Sequence, residues 1–489
     1  MTILNAINKI KKKELTVTEL VNSCIKNIEE KNADINAFIT FNKEYALKMA
    51  KKADEKISNA HKSNSIDELY NKYPLLGIPV AHKDIISTKD FKSTSGSKIL
   101  DNYYPPYDAT IVRKLNDAGA IILGKLNCDA FAHGASGENS DYGPTKNPYD
   151  LTRVSGGSSS GTAASVASDM TLFSTGTDTG GSLRNPASFT NTVAVKPTYG
   201  RVSRYGVTAM ASSLDSIGYI TKTVSDAAYI YGLVSGKDNN DASSVDVAVD
   251  DYFSYIKENL DKKNDKPLNG IKIGLPKEYF GEEIDSEILE KTEYVKRKLL
   301  DLGATFIEIS LPHTNAALAV YYVLVPSEVM SNLGRLDGIR YGHERSEFGA
   351  EAKRRIMIGS YVLSSGFYDA YYLKAQKVRT LVIEDFKNAF SKVDFILGPV
   401  TPMLPPKLGD NTKDPLKMYL MDVLTAPINL SGLCALGIPA GFSNKTEDHN
   451  ELPIGVQLIG NQFDEKNLYK VGFELERAIG LNNGEDKNE

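Results

Sequence analysis

The chain has 489 residues, 41% hydrophobic and 24% charged, proportions of an ordinary globular protein that exclude collagen-like, disulfide-scaffold and largely disordered classes. A formal net charge of -5 gives no general attraction to a phosphate backbone, so direct nucleic-acid binding is not expected. Three cysteines, Cys24, Cys128 and Cys434, lie far apart with no C-x-x-C pair, which points to a reducing compartment and away from a zinc site.

At the N-terminus Ile3, Leu4, Ile7 and Ile10 recur at helical spacing without a long apolar run or a cleavage site, so no signal peptide is expected. No stretch reaches the roughly 18 uninterrupted apolar residues of a membrane helix. Thr16 and Glu19 make a capping box, and Leu20, Val21, Cys24, Ile25 and Ile28 form one apolar stripe behind it. Leu76–Ala81 reads as a short strand, with Pro79 at an edge or a strand start, and it delivers His82, Lys83 and Asp84 at its end. Asp108 is placed to cap a helix running to Gly119, before a buried strand Ala120–Leu123. A small-residue helix at Thr162–Ser168, a strand at Thr171–Thr175 and a loop from Gly176 to Ser182 follow. Beyond them come strands at 271–275, 306–311, 395–397 and 455–459, and helices at 284–302, near 368–390 and at 464–479.

This alternation predicts an α/β fold, a large, mainly parallel or mixed sheet flanked by helices. The polar stretches Glu55–Tyr73 and Gly236–Asn269 read as surface excursions, and the tail 484–489 as disordered.

The densest chemical signal is Ser155-Gly156-Gly157-Ser158-Ser159-Ser160-Gly161, followed by Gly176-Thr177-Asp178-Thr179-Gly180-Gly181-Ser182. Glycine and serine clusters are commonly flexible loops. Here both runs border apolar segments, which implies tight buried turns where backbone approaches something closely. The N–H groups from Thr179 to Ser182 could converge on a developing oxyanion, each worth about 3 to 4 kcal/mol in acyl transfer. A serine nucleophile needs a base, and six histidines are available: His61, His82, His133, His313, His343 and His449. Gly157–Gly161 also matches G-x-S-x-G, but Tyr149–Val154, with its Asp and Arg, does not read as the strand that motif requires. Gly119–Lys125 approximates a phosphate loop, yet Leu126 stands where Ser or Thr would hold magnesium.

The block from Gly156 to Ser182 resembles the signature of the amidase signature family. The resemblance implies the amidase signature fold, with helices on both faces of the sheet, in one domain spanning 1–489 with a core at about 70–230. It also implies a Ser-Ser-Lys triad of Ser182 as nucleophile, Ser158 as relay and Lys83 as base, with a cis bond before Ser158. The oxyanion would face Thr179, Gly180 and Gly181. A lysine base must be neutral, so its pKa has to fall by roughly three units from about 10.4, a change burial can supply unless Asp84 faces the ammonium.

Within the family the resemblance narrows to the A subunits of glutamyl-tRNA(Gln) or aspartyl-tRNA(Asn) amidotransferases. It is carried by Lys196–Gly218, Asn127–Asp150, Asn332–Gly342, Tyr368–Leu381 and Asn429–Asp464. It implies glutamine as amide donor, with Arg355 on its carboxylate, Asp422 on its ammonium and Tyr321 lining the pocket. It further implies B and C partner subunits and a misacylated tRNA reached through the B subunit. No cofactor would sit in this chain, ATP and Mg2+ being used by that subunit. A cytoplasmic home is expected, an organellar one staying open. This sequence departs from the family at Cys128, Ala130 and His133, where an acidic residue and Met are common, at Ser160 for glycine and at Tyr219 for proline. A free-standing amidase for a small aliphatic or aryl amide, and a scaffold that has lost catalysis, are the two alternatives.

Overall fold

β-branched and aliphatic residues dominate most of the segments that become strands, and the segments in the middle of the sheet are buried on both faces. The computed structural model describes residues 1–260, 264–340, 342–410 and 415–480. Its strands in chain order are β1 (Phe38–Phe41), β2 (Pro79–Lys83), β3 (Ile121–Leu126), β4 (Lys146–Asn147), β5 (Asp150–Val154), β6 (Phe173–Asp178) and β7 (Val193–Lys196). They continue with β8 (Ser216–Thr221), β9 (Lys272–Pro276), β10 (Thr305–Ile309), β11 (Phe395–Pro399), β12 (Cys434–Phe442) and β13 (Pro453–Gly460). Eleven of them make one mixed sheet in the order β1-β3-β2-β6-β8-β7-β12-β13-β11-β9-β10. The fold is the α/β architecture that the alternation implies, with parallel pairs β2–β3, β2–β6, β11–β9 and β10–β9 and antiparallel pairs elsewhere.

Parallel pairing of β2 with β6, His82 opposite Thr175, brings the carboxyl ends of both strands to one edge. Lys83 ends the first and Asp178 the second. Crevices at such ends are where α/β sheets place chemistry. Pro79 is the first residue of β2, where its missing N–H is tolerated. The capping box of Thr16 and Glu19 forms at the head of helix Val17–Ile35.

Several local expectations are corrected. Asp108 does not cap its helix, which starts at Thr110 after Ala109; its Oδ1 instead accepts the N–H of Lys89 at 2.7 Å. β3 runs through Gly124 and Lys125 to Leu126, and β6 through Gly176 to Asp178, so the glycine turn is confined to residues 179–182. The helix at 160–167 begins two residues earlier than expected, directly after Ser159. Tyr368–Leu373 is a π-helical turn ahead of helix Lys374–Phe390, not the start of one continuous α-helix. Asp150–Val154 is a strand after all, but it lies outside the main sheet, in a ribbon with β4 and bridged at Arg153 to Lys407. Glu55–Tyr73 is not merely an excursion: it completes helix Lys43–Lys62 and forms helix Ile66–Lys72, burying Ile57, Ala60 and Tyr70. Gly236–Asn269 includes helix Tyr252–Leu260, with Tyr252 and Ile256 in the core. The tail 484–489 lies outside the described residues.

Among the described residues, one helix, Thr314–Leu333, is long and apolar enough to cross a membrane by length and composition. It contains Pro326 and Glu328, and half of its apolar window is buried against this chain.

Candidate active site

Small residues shape the crevice at the ends of β2 and β6. A Cβ on Gly157 would stand 2.2 Å from Asp129 Oδ2, so only glycine lets the 156–158 segment approach that carboxylate. The Gly157–Ser158 bond is cis. The next residues open helix Ser160–Ala167, whose Gly161, Ala163 and Ala164 allow it to lie close on the sheet. Ser160 fits where glycine is common, its hydroxyl donating to Thr145 Oγ1 at 3.1 Å.

Lys83 is fully buried, and its Nζ donates to Ser158 Oγ at 2.7 Å, Ser159 Oγ at 3.0 Å and Thr177 Oγ1 at 3.0 Å. Ser182 lies beside this cluster, its carbonyl accepting the N–H of Ser159 at 3.1 Å. Burial lowers the Lys83 pKa to about 8. The carboxylates of Asp129, Asp215 and Asp178 oppose that fall. Asp84, the feared opponent, turns away: its Oδ2 accepts the N–H groups of Thr94 and Gly96 and the Thr94 hydroxyl. None of the six histidines pairs with Ser158, Ser159 or Ser182 among the described residues; His82 Nδ1 instead meets Thr175 Oγ1 at 2.8 Å. The serine of the G-x-S-x-G match, Ser159, donates to Thr177 O at 2.9 Å.

The turn 179–182 is held from three sides. The Thr179 hydroxyl donates to Asp215 Oδ1 at 2.7 Å, the Thr425 hydroxyl to Gly180 O at 2.6 Å, and the Gly181 N–H to Asp178 Oδ1 at 2.9 Å. That last bond occupies the Gly181 N–H that the resemblance assigns to an oxyanion. Gly181 has φ +138°, and a Cβ there would be 2.2 Å from Thr425 Oγ1. Gly181→Ala is therefore expected to displace the turn and lower kcat by more than about tenfold, measurable in steady-state hydrolysis.

Tyr321, Arg355 and Asp422 meet above this turn. The Tyr321 ring closes on Gly180, where a Cβ would lie 2.6 Å from its hydroxyl. Arg355 and Asp422 are both buried. Arg355 Nε donates to Glu351 Oε1 at 2.9 Å, its guanidinium sits 5.4 Å from the Tyr322 ring centre, and its Nη1 has no partner among the described residues. Burial pushes the Asp422 carboxyl up to about 8, against the pull of Arg355. Among the described residues no group of three His, Cys, Asp or Glu side chains is placed to hold a metal ion.

Residues 19–469 match the Amidase family. The chain belongs to the amidase family. The A subunit of glutamyl-tRNA(Gln) amidotransferase from Carboxydothermus hydrogenoformans is 47% identical over 484 residues, 96% of this chain and 95% of its own length. The Coxiella burnetii protein of the same name is 48% identical over 485 residues, with 96% and 95% covered. A crystal structure of the glutamyl-tRNA(Gln) amidotransferase A subunit from Thermotoga maritima superimposes with a TM-score of 0.79 at 38% identity, covering 98% of this chain and 94% of that one. 6-Aminohexanoate cyclic dimer hydrolase, 22% identical with a TM-score of 0.84, shares the fold.

In this amidase, several residues around the crevice escaped the sequence reading. Tyr322 donates to Asp422 Oδ2 at 3.3 Å and stacks on Tyr419 with ring centres 4.0 Å apart. Tyr419 in turn donates to Glu351 Oε1 at 3.2 Å. Only the spacing Tyr321-Tyr322 and the charged pair Glu351 and Arg355 one helical turn apart hinted at this bracket.

Proposed function

We propose that this chain is the glutaminase subunit of a tRNA-dependent amidotransferase, working in the cytoplasm as one amidase domain. The observation that carries the reading is the buried Lys83 Nζ, 2.7 Å from Ser158 Oγ, with the carbonyl of Ser182 bonded to the N–H of Ser159, in a chain so close over its length to A subunits. Ser182 Oγ attacks the side-chain carboxamide carbon of glutamine, and its proton passes through Ser158 to Lys83. The N–H groups of Thr179, Gly180 and Ser182 receive the oxyanion, the Gly181 N–H being held by Asp178. The C–N bond breaks as the nitrogen takes a proton back, leaving ammonia and a glutamyl ester on Ser182. Water then attacks the ester and releases glutamate.

Arg355 supports recognition of the α-carboxylate, Asp422 of the α-ammonium, and Tyr321 walls the pocket. An arriving ammonium would return Asp422, held up near 8 by burial, to its carboxylate form. Ammonia is consumed by a B subunit, which activates misacylated Glu-tRNA or Asp-tRNA with ATP and Mg2+, and a small C subunit completes the assembly. No cofactor is assigned to this chain.

The test is covalent labelling. A glutamine analogue with a diazoketone in place of the amide is expected to modify Ser182, located by peptide mass spectrometry, and glutamine is expected to block it. Labelling elsewhere, or turnover of an aryl amide at least as fast as glutamine, counts for the free-standing amidase instead.

A further inference from the structure

His133 is a buried group that this mechanism does not use. It lies in the loop after Asp129, whose carboxylate accepts the N–H groups of Gly137 and Asn139 at 3.0 and 2.8 Å. The loop rests on the relay serine's segment: Asp129 N–H donates to Ser158 O at 3.3 Å and Gly157 N–H to Ala135 O at 2.7 Å. On its other side Asn139 Nδ2 donates to His133 O at 3.2 Å and reaches Met418 Sδ at 3.4 Å, next to the Tyr419 that brackets Arg355. The loop thus spans the crevice from the serines to the arginine.

His133 is 1% exposed, and neither ring nitrogen has a partner among the described residues. Burial, then the charge of Arg355, holds its pKa well below the usual histidine value. The ring is therefore neutral at working pH, with one N–H donor and one acceptor unused. Arg355 Nη1 and Ser136 Oγ are also buried without partners among the described residues. A side chain that merely filled this space would be cheaper without polar atoms, since buried donors left unpaired are costly. An unused ring N–H beside a guanidinium that itself keeps an unused N–H suits an anionic group.

We propose that His133 is a specificity-determining residue whose ring N–H donates, together with Arg355, to the α-carboxylate of bound glutamine. The proposal rests on the glutaminase reading above. The assembled amidotransferase is assayed for ammonia release from L-glutamine and from 4-aminobutanamide, which keeps the amide and the amine but lacks the carboxylate. His133→Phe is expected to lower kcat/KM for glutamine about 10- to 100-fold, chiefly through KM, and that for 4-aminobutanamide by less than about threefold. His133→Gln, which keeps an N–H donor, is expected to recover most of the loss. His133→Met gives the same reading should the phenyl ring not be accommodated, thermal unfolding showing which variant is folded. Equal losses on both amides, or undiminished preference for glutamine in a folded variant, overturn the proposal while leaving the glutaminase reading intact. A wild-type enzyme that does not distinguish the two amides overturns the carboxylate clamp itself, and this proposal with it.

Discussion

Lys83→Met is expected to lower glutamine hydrolysis by at least about 10,000-fold while leaving transfer driven by added ammonium near the wild-type rate. Among the described residues the lysine is the only basic side chain bonded to Ser158, and methionine keeps its bulk without its nitrogen. Ser182→Ala is expected to show the same loss and the same sparing, and the double variant to be no worse than either, because members of one proton chain do not contribute additively. Loss of ammonium-driven transfer in either single variant would place the defect in assembly instead. The pH profile follows from the base being useful only when neutral. With a folded pKa of about 8, kcat/KM should fall about tenfold per unit as pH drops below that value. Stability carries the same signature. The folded pKa lies below the unfolded 10.5, so burying the charge costs about 3 kcal/mol below pH 8, a cost released as pH rises toward 10.5. Wild type should therefore gain stability over Lys83→Met across that window, read from urea midpoints at pH 7.5 and about 10.

The parts of the fold that local pattern governs were legible. The capping box at Thr16, the strand leading to Lys83 and the final helix at 465–479 each follow from residues within one or two turns of one another. So did the two glycine and serine runs, whose lack of bulk left close backbone approach as their use. β12 was not legible, because Gly437, Pro439 and Gly441 interrupt its apolar run. The strand survives because its pairing with β7 ends at Gly437, before the proline, and a bulge takes up the register between Pro439 and Gly441. β5 was hidden by Asp150 and Arg153, which are served by Thr152 and by the carbonyl of Pro405. Tyr322, Tyr419 and His133 were beyond reach for a different reason: each acquires meaning only from residues dozens to hundreds of positions away, which no local period reveals.

The same distance hides the group with most to lose. Arg184→Met is expected to destabilise the chain by about 3 to 5 kcal/mol, a large share of a typical domain's stability. Arg184 has no exposure. Its Nη2 and Nε grip Asp178 Oδ1 and Oδ2 at 3.0 and 3.1 Å, Nη1 reaches Gln457 Oε1 at 2.8 Å, and Nη2 meets Asn429 Oδ1 at 2.6 Å. Methionine would leave the Asp178 carboxylate buried without its counter-charge. At present burial raises that carboxyl while the charge and hydrogen bonds of Arg184 overcome it, holding the pKa at about 2. The pairing thus stabilises the fold above the ordinary carboxylate value of 3.8 and is lost as pH falls through about 2. In the variant Asp178 should protonate at much higher pH, moving acid unfolding upward. Asp178 also accepts the N–H groups of Gly181 and Leu183, the two residues flanking Ser182, so hydrolysis by the folded fraction should fall as well. The double variant Asp178→Leu/Arg184→Met separates these two effects. With both charges gone it should recover much of the stability measured in urea, yet regain no hydrolysis, since an apolar side chain cannot hold the turn. Recovery of both together would mean that the pair serves folding alone.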